Sequence, residues 1–396
     1  MSVVTSTPPS EAVGLRASDK LIRPDARPLA PARWDWSKVR RVLVVRLRSI
    51  GDTVLATPTL HALRRFLPRA RIDLLLEDWV APLLEGTTDA DRIIRLEGRS
   101  TLARLRVARE LRAARYDVAF NLHGGSTAAL LTRASGARRR VGYRSYRYSF
   151  LHTDLAPAAT ALWQTEKTHS AEQQLALAGW TGVPVSDRPL ARLPANAAAS
   201  DSINLKLLRA RDADGQPLPI ADGQPFALLH PAAAFASKTW ATENFARVAE
   251  ELSARGLAVV ALAASSETEI VERLVKETRA PVLSLTDLTL PEVTALVARA
   301  RLFVGNDSGI AHIASALRVP SVVVFGSSNV AHWRPWTQAP AEVVRDEMPC
   351  APCPGYTCSE FDAPECIRRV TVERVASAIE RVLEKQTMDE KADDGR

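Results

Sequence analysis

The stretch that decides the fold is RLFVGNDSGIAHIASALRVPSVVVFG, at residues 301–326. An apolar run at 302–304 ends in the turn GNDSG at 305–309, a helix of alternating small and apolar residues follows, and a second apolar run occupies 321–325. This order predicts a βαβ unit. Its first turn offers unpaired backbone N–H groups and the positive end of a helix dipole to an anion. We therefore expect a phosphate or diphosphate here, carried by a nucleotide.

The same alternation of strand and helix extends outward in both directions, which predicts α/β domains with parallel sheets covered on both faces. Ligands of such open sheets bind at the carboxyl ends of the strands. The predicted strands are 41–47, 72–76, 93–96, 116–122 and 141–143 in the first half, and 226–230, 257–262, 282–285, 302–304 and 321–325 in the second. The predicted helices include 101–114, 242–255, and 372–385.

A break in this rhythm divides the chain into two doubly wound halves that face a cleft. Residues 191–225 are rich in Pro, Asp, Gly, Asn and Ala without a clear period, and we interpret them as an interdomain linker. The first domain is predicted at 40–190 and the second at 226–385. Residues 1–39 are predicted to be a disordered arm, and residues 386–396 a charged tail.

Composition describes an ordinary globular protein of 396 residues, 46% hydrophobic and 24% charged. No apolar run reaches the length of a membrane span, and the N-terminus lacks the apolar core of a secretory signal, so we expect a cytoplasmic protein. Charge is uneven: residues 40–192 hold 25 Lys and Arg against 14 Asp and Glu, a net of +11, whereas residues 193–396 hold 21 against 27, a net of −6. A basic first half indicates an acidic partner, which could be nucleic acid, anionic lipid or a phosphorylated glycan.

Four polar turns follow predicted strands and could carry chemistry. Asp52 follows the first strand and is either a helix N-cap or a general base that faces the cleft. Lys238, in HPAAAFASKTW at 230–240, is either a solvated lysine or a point charge for a phosphate. Glu267 is either a first-turn helix residue or a ligand of ribose hydroxyls. His312 lies one helical turn beyond the anion-binding turn, and could be structural or functional.

Two further clusters leave alternatives open. Arginines and tyrosines interleave in RRRVGYRSYRY at 138–148, a pattern that suits phosphates, sugars or bases, or a solvated surface. All four cysteines of the chain share a C-x2-C-x4-C-x7-C spacing. Without a secretion signal this favours a structural zinc site over disulfides, although a rigid Pro- and Gly-containing loop is the alternative. The cysteines are Cys350, Cys353, Cys358 and Cys366.

Taken in order, these motifs resemble glycosyltransferase family 9, the ADP-heptose:lipopolysaccharide heptosyltransferases. The resemblance covers roughly residues 40–385 and rests on VLVVRLRSIGDTVLATPTLHAL at 42–63, NLHGG at 121–125, RRRVGY at 138–143, LHPAAAFASKTWATENFARVAEEL at 229–252 and FVGNDSGIAHIASALRVPSVVVFG at 303–326. It implies a GT-B fold, in which two Rossmann-like domains face one cleft, with the acceptor on the first domain and the donor on the second.

The resemblance also implies roles for individual residues. Asp52 matches the catalytic base and Lys238 the lysine on the donor diphosphate. Glu267 matches the acidic residue near the ribose. The donor-binding turn comprises Asp307, Ser308, Gly309, Ile310 and His312. We expect acceptor contacts from Arg46, Arg48, His123, Arg140 and Arg144.

The resemblance thus implies an inverting transferase that needs no cofactor and moves a heptose from ADP-heptose to a lipopolysaccharide inner-core acceptor. A basic acceptor domain would also meet the anionic inner leaflet of the membrane, so peripheral association is expected. One alternative is a family 9 transferase with another nucleotide sugar or glycan acceptor, and a second is a nucleotide-sugar epimerase of the same architecture. A third, a nucleic-acid-binding protein, lacks a recognised motif, so we expect no nucleic-acid partner.

Overall fold

The computed structural model describes residues 25–394, apart from 212–216, 219, 221–222 and 354–356. It contains two six-stranded sheets in which all the paired strands are parallel, and helices cover both faces of each sheet. The predicted fold class, α/β with two Rossmann-like sheets, is confirmed. None of the helices in the described ranges is long and apolar enough to cross a bilayer.

The first sheet has the order β3-β2-β1-β4-β5-β6. Its central strands are buried on both faces, which is why they read as continuous apolar runs in the sequence. The strands are β1 (Arg41–Val45), β2 (Arg71–Glu77), β3 (Arg92–Leu96), β4 (Val118–Asn121), β5 (Arg139–Tyr143) and β6 (Asp154–Ala156). The helices of this half are α1 (Ile50–Val54), α2 (Thr57–Phe66), α3 (Thr101–Ala113), α4 (Ser126–Ala134), α5 (Ala159–Trp163) and α6 (Ser170–Gly179).

The second sheet repeats the arrangement, with the order β12-β11-β10-β7-β8-β9. Its strands are β7 (Phe226–His230), β8 (Ala258–Leu262), β9 (Val282–Leu285), β10 (Leu302–Asn306), β11 (Ser321–Phe325) and β12 (Ala341–Arg345). The remaining helices are α7 (Ala197–Leu208), α8 (Thr242–Ala254), α9 (Thr268–Glu277), α10 (Leu290–Val297), α11 (Gly309–Ala316), α12 (Val330–Trp333), α13 (Glu365–Arg368) and α14 (Val372–Asp394).

The two halves share part of their apolar core. One buried cluster contains side chains of both sheets, and it includes Leu84 of the first half, Ile203 of α7 and Leu296 of α10. Helix α10 contacts both α7 and the 3-10 helix Ala81–Leu84. The segment between the sheets therefore packs as part of the structure, and the halves are joined by buried apolar contacts.

The N-terminal arm is packed over its described part, residues 25–39, where a disordered arm was predicted. Leu29 and Ala30 donate backbone hydrogen bonds to the carbonyl of Gly179, at 3.0 and 3.2 Å. Trp36 is buried, and its indole N–H donates to the carbonyl of Thr181 at 2.8 Å. These contacts supply the apolar burial that composition alone did not reveal. Residues 1–24 lie outside the described residues.

Two other boundaries also differ from the prediction. The predicted irregular linker contains the twelve-residue helix α7, which Asn196 caps by accepting a hydrogen bond from the backbone N–H of Ala199 at 2.9 Å. Helix α14 continues through most of the predicted charged tail, where Arg301 forms an ion pair with Glu390 at 2.5 Å. The segments Asp-Ala-Asp-Gly at 212–215 and Ala-Asp at 221–222 lie outside the described residues.

Candidate active site

The turn after β10 is tied to the loop after β7 by the side chain of Asn306. Its amide nitrogen donates to the carbonyl of Pro231 at 2.7 Å, and its amide oxygen accepts from the backbone N–H of Trp240 at 3.0 Å. Asn306 is fully buried, so these bonds satisfy a polar group that would otherwise be costly. They hold the GNDSG turn and the Lys238 loop in a fixed relation.

A buried carboxylate links the same two loops. Asp307 accepts from the ammonium of Lys238 at 2.8 Å and from the hydroxyl of Ser328 at 2.5 Å. Its side chain is 5% exposed, whereas that of Lys238 is 22% exposed. Asp307 therefore orients Lys238, whose ammonium keeps a partly open side toward the cleft.

The first turn of α11 presents polar groups that lack a partner in the described structure. Ser308 is the N-cap, yet its side chain forms no capping hydrogen bond. The Ser308 hydroxyl and Nδ1 of His312 are both buried without a hydrogen-bond partner among the described residues. Burial lowers the pKa of His312, so the imidazole is neutral near pH 7. A helix start with free N–H groups and such side chains suits an anion.

Asp52 lies in the first turn of α1, immediately beyond β1. It forms an ion pair with Arg46 and lies 3.3 Å from the hydroxyl of Ser49. The guanidinium of Arg46 is buried and also donates to the carbonyl of Leu122 at 2.6 Å. Arg46 thus fixes one oxygen of the carboxylate, and the Asp52 side chain, 22% exposed, remains accessible.

Two glycines allow α1 and α11 to approach each other closely. A Cβ atom on Gly51 would lie 2.5 Å from Cδ2 of His312, and one on Gly309 would lie 2.8 Å from Cβ of Ile50. Real side chains do not tolerate such distances. The structure therefore brings Asp52 of the first half beside the anion-binding turn of the second half.

Imidazole rings from both halves surround Asp52. Burial, followed by the positive charge of Arg46, lowers the pKa of His123 to about 4. The pKa of His332 is lowered mainly by burial, although the Asp52 carboxylate opposes this shift. Both rings are neutral near pH 7, so they add no positive charge beside the Asp52–Arg46 ion pair.

The sequence did not indicate a second contact between the halves, at the start of α6. His169 donates through Nε2 to the backbone carbonyl of Arg334 at 2.8 Å, and its ring stacks on Trp336 with centroids 4.8 Å apart. Nδ1 of His332 lies 3.3 Å from the amide of Gln173. These pairs join residues about 160 positions apart, so no local motif marks them.

Glu267 lies at the carboxyl end of β8, on the same sheet edge as the anion-binding turn. Its carboxylate accepts from the backbone N–H of Ala264 at 3.2 Å, as a helix-capping residue would. The side chain is half-buried. Strand β7 separates β8 from β10, which leaves a gap between Glu267 and Asp307 along the sheet edge.

The five predicted acceptor residues do not all reach the cleft. Arg46 and His123 adjoin Asp52, Arg48 lies 3.9 Å from the carboxylate of Glu77, and Arg144 follows the carboxyl end of β5. Arg140 is different, because it lies near the amino end of β5.

The guanidinium of Arg140 is hydrogen-bonded to backbone carbonyls. It donates to the carbonyl oxygen of Leu151 at 3.0 Å and to that of Ala137 at 2.8 Å. The strand register therefore removes Arg140 from the predicted group, because β5 carries its amino end away from the edge where Asp52 lies.

The zinc prediction finds no support in the described part of the chain. No group of three or more His, Cys, Asp or Glu side chains there could hold a metal ion, and all four cysteines are free of disulfides. Cys366 is buried in α13. Burial, followed by the nearby thiols of Cys350 and Cys358, raises its pKa.

Comparisons with known proteins agree with this arrangement. The family model described as glycosyltransferase family 9 (heptosyltransferase) matches residues 104–363. The chain is 29% identical over 312 residues to lipopolysaccharide heptosyltransferase 3 of Escherichia coli K12, which covers 74% of this chain and 84% of the relative. It is 25% identical over 378 residues to lipopolysaccharide heptosyltransferase 1 of Pseudomonas aeruginosa, covering 87% of this chain and 98% of the relative.

Solved structures have the same fold. The E. coli ADP-heptose lipopolysaccharide heptosyltransferase II superposes with a TM-score of 0.71 at 22% identity, covering 88% of this chain and 99% of that one. A family 9 glycosyltransferase from Veillonella parvula superposes with a TM-score of 0.73 at 21% identity, covering 87% and 97%.

Proposed function

The chain belongs to glycosyltransferase family 9, and on that premise we propose that it transfers a heptose from ADP-heptose to an inner-core sugar of lipopolysaccharide, with inversion at the anomeric carbon. The observation that carries this proposal is the position of Asp52 opposite the anion-binding turn. A carboxylate on one half faces a cation and a helix start on the other, and this pairing suits a base and a leaving-group site.

The donor diphosphate would bind at the start of α11. Backbone N–H groups at Gly309 and Ile310, the Ser308 hydroxyl and His312 would contact its oxygens, and Lys238 would add a positive charge. Glu267 would reach the ribose hydroxyls from the end of β8. Asp307 would act indirectly, because its carboxylate orients Lys238 instead of facing a ligand of the same charge.

Asp52 would act as the general base. It would take the proton of the acceptor hydroxyl as that oxygen forms a bond to the anomeric carbon of the heptose. The bond from this carbon to the diphosphate would break in the same displacement, and ADP would leave. Lys238 and the N–H groups of α11 would stabilise the negative charge that develops on the departing diphosphate, so the residues themselves supply the electrostatic stabilisation.

The choice of sugar and acceptor rests on relatives. Those reported above are named as lipopolysaccharide heptosyltransferases 1 and 3, which supports a heptose donor and a lipopolysaccharide acceptor for this chain. Arg46, Arg48, His123 and Arg144 would contact the acceptor, whose core sugars are acidic. Such an acceptor is anchored in lipid, so we place the enzyme in the cytoplasm, peripheral to the inner face of the inner membrane.

A donor screen tests the proposal. Nucleotide release would be measured with ADP-heptose and with other ADP-, UDP- and GDP-sugars, each with and without deacylated lipopolysaccharide core. We expect release with ADP-heptose only when the core is present. Release with a different nucleotide sugar would contradict the donor assignment, and conversion of the donor in the absence of any acceptor would indicate an epimerase.

A further inference from the structure

Several large apolar side chains are exposed on one face of the first half. Leu102 and Leu105 of α3, Leu130 of α4 and Phe150 are between 49% and 76% exposed. Phe150 lies in the 3-10 helix Ser149–Leu151 that follows β5. Single exposed apolar residues are ordinary, but a group of them on neighbouring elements marks an interaction surface.

The elements that carry these side chains lie side by side. Helix α3 packs against α4, and α4 packs against the 3-10 helix. Both helices follow strands of one parallel sheet and cover the same face, since their buried sides share one apolar cluster. Leu102 and Leu105 are three residues apart and so point in similar directions from α3. We call the four side chains Leu102, Leu105, Leu130 and Phe150 the apolar ridge.

Arginines lie on the elements that carry the apolar ridge. Residues 99–115 contain six arginines and one acidic residue, Glu110, while Arg133 lies in the last turn of α4 and Arg147 precedes the 3-10 helix. Arg104, Arg109, Arg133 and Arg147 are exposed. An exposed apolar group within a strongly cationic border is complementary to a surface that is apolar inside and anionic outside.

We propose that the apolar ridge and its arginine border dock on the anionic face of a phospholipid bilayer, with the four side chains inserted between headgroups. The choice of a bilayer over nucleic acid rests on the proposed function, because a lipid-anchored acceptor brings the enzyme to a membrane. The ridge also suits a bilayer better, since three of its four side chains are leucines, which do not stack on bases as aromatic rings do.

The position of the ridge fits this partner. Leu105 lies four residues beyond the start of α3 at Thr101, about 6 Å along the helix. Leu130 lies the same number of residues beyond the start of α4. Both helices begin at the carboxyl edge of the sheet, the edge that also carries Asp52. Docking at the ridge therefore sets the acceptor side of the cleft close to the headgroup plane.

Vesicle sedimentation of the full chain tests the proposal. The protein would be mixed with vesicles of phosphatidylethanolamine and phosphatidylglycerol, and with vesicles of phosphatidylcholine alone. We expect binding to the anionic vesicles that weakens as salt is raised. The variant Leu102→Ser/Leu105→Ser/Leu130→Ser/Phe150→Ser should bind them at least about tenfold more weakly, because the inserted apolar area is lost. The matched control Leu205→Ser/Leu208→Ser removes two exposed leucines of α7 and should bind like the parent.

Other measurements separate this proposal from the proposed function. Transfer to a soluble, deacylated core should be the same in the ridge variant and the parent, since the ridge does not line the cleft. Equal binding of parent and ridge variant to anionic vesicles would overturn the docking surface even if transfer proceeds. Retention of duplex DNA through the ridge at physiological salt, or a lower oligomeric mass of the ridge variant, would assign the surface to nucleic acid or to a second copy and would also overturn it.

Discussion

Lys238 is the residue whose surroundings most directly suggest its role. Its ammonium is held at 2.8 Å by Asp307 and is only partly covered. Asp307 is buried and also accepts from Ser328, so it holds the lysine ammonium in place beside the α11 turn. A point charge at a helix start adds to the attraction of the N–H groups for a diphosphate.

We expect Lys238→Gln to reduce kcat/KM for the donor by roughly 10²–10³-fold, the usual effect of removing one stabiliser of developing charge. Steady-state nucleotide release would measure it. Lys206→Gln is the matched control, because Lys206 lies on α7 and forms ion pairs with Glu292 of α10 and with Asp287, which precedes α10. Full activity of Lys238→Gln would remove Lys238 from the diphosphate site.

At this scale the sequence identified residues that follow strands in polar turns, and missed those that depend on contacts between the halves. Asp52 and Lys238 were predicted because each stands at the carboxyl end of an apolar strand. His169 and His332 were missed, because their partners lie about 160 residues away. Arg140 was assigned to the cleft by its neighbours in sequence, but the strand register turns it to the opposite edge.

The position of Asp52 beside the α11 turn depends on the close contact between helices α1 and α11. Gly309 leaves no room for a side chain, since an added Cβ would meet Ile50 and lie 3.3 Å from the backbone nitrogen of Gly51. Backbone cannot move aside as a flexible side chain can, so the helices must separate.

Gly309→Ala should therefore lower transfer at least about tenfold by misplacing Asp52 relative to the donor, while the halves stay folded. Activity and thermal unfolding would be compared with those of Gly98→Ala. Gly98 has a φ of +73° and nothing within 4 Å, so its substitution strains the backbone without a clash. We expect the control to lose some stability and keep its activity. Transfer by Gly309→Ala at the rate of the parent would show that the α1–α11 contact is not needed for transfer.

The packed arm, residues 25–39, gives a prediction about stability. Trp36 is buried against Phe66, with ring centroids 5.4 Å apart, and bonds to Thr181. Trp36→Ala should lower the free energy of unfolding by about 3–5 kcal/mol, the cost of removing a buried aromatic side chain. Denaturant titration would measure the loss. Trp79→Ala, at an exposed tryptophan, is the control and should change stability little.

The elements missed from the sequence are short or weakly patterned. Strands β6 and β12 are edge strands: β6 has only three residues and β12 is mostly half-buried, so neither reads as an apolar run in the sequence. Helix α7 has small and polar residues in its first turns, so the apolar period of a helix is weak there. The central strands were predicted correctly because burial on both faces makes them continuous apolar runs.

At the scale of the whole molecule, buried neutral histidines couple stability to pH. Burial lowers the pKa of His169 to about 3 and that of His230 to about 4. In the unfolded chain both rings titrate near pH 6.5. Between these values the unfolded chain binds more protons than the folded one, so stability is complete above pH 6.5 and falls as the pH drops toward 4.

Each of these histidines should cost about 3 kcal/mol of stability over that range. Guanidinium unfolding at pH 7.5 and pH 4.5 would measure the difference. His230→Gln should show a smaller difference between the two pH values than the parent, because glutamine does not titrate. An equal difference in both proteins would contradict a buried neutral His230.

The overall architecture was predictable because two βαβ patterns of similar length repeat on either side of a break. What could not be predicted is how the halves meet. Their shared core and the contacts of α6 with the Arg334–Trp336 segment depend on side chains that are distant in sequence. The proposed mechanism depends on how the halves meet, since the base and the leaving-group site come from different halves.

Transfer by Asp52→Asn, recorded together with donor binding, tests whether Asp52 is the general base. Single-turnover transfer from ADP-heptose to deacylated core would be followed in the parent and the variant, and ADP binding would be titrated by calorimetry. If Asp52 is the base, transfer falls by roughly 10²–10⁴-fold while ADP binds with unchanged affinity. Unchanged transfer in Asp52→Asn would show that the chemistry does not begin at Asp52, opposite the α11 turn.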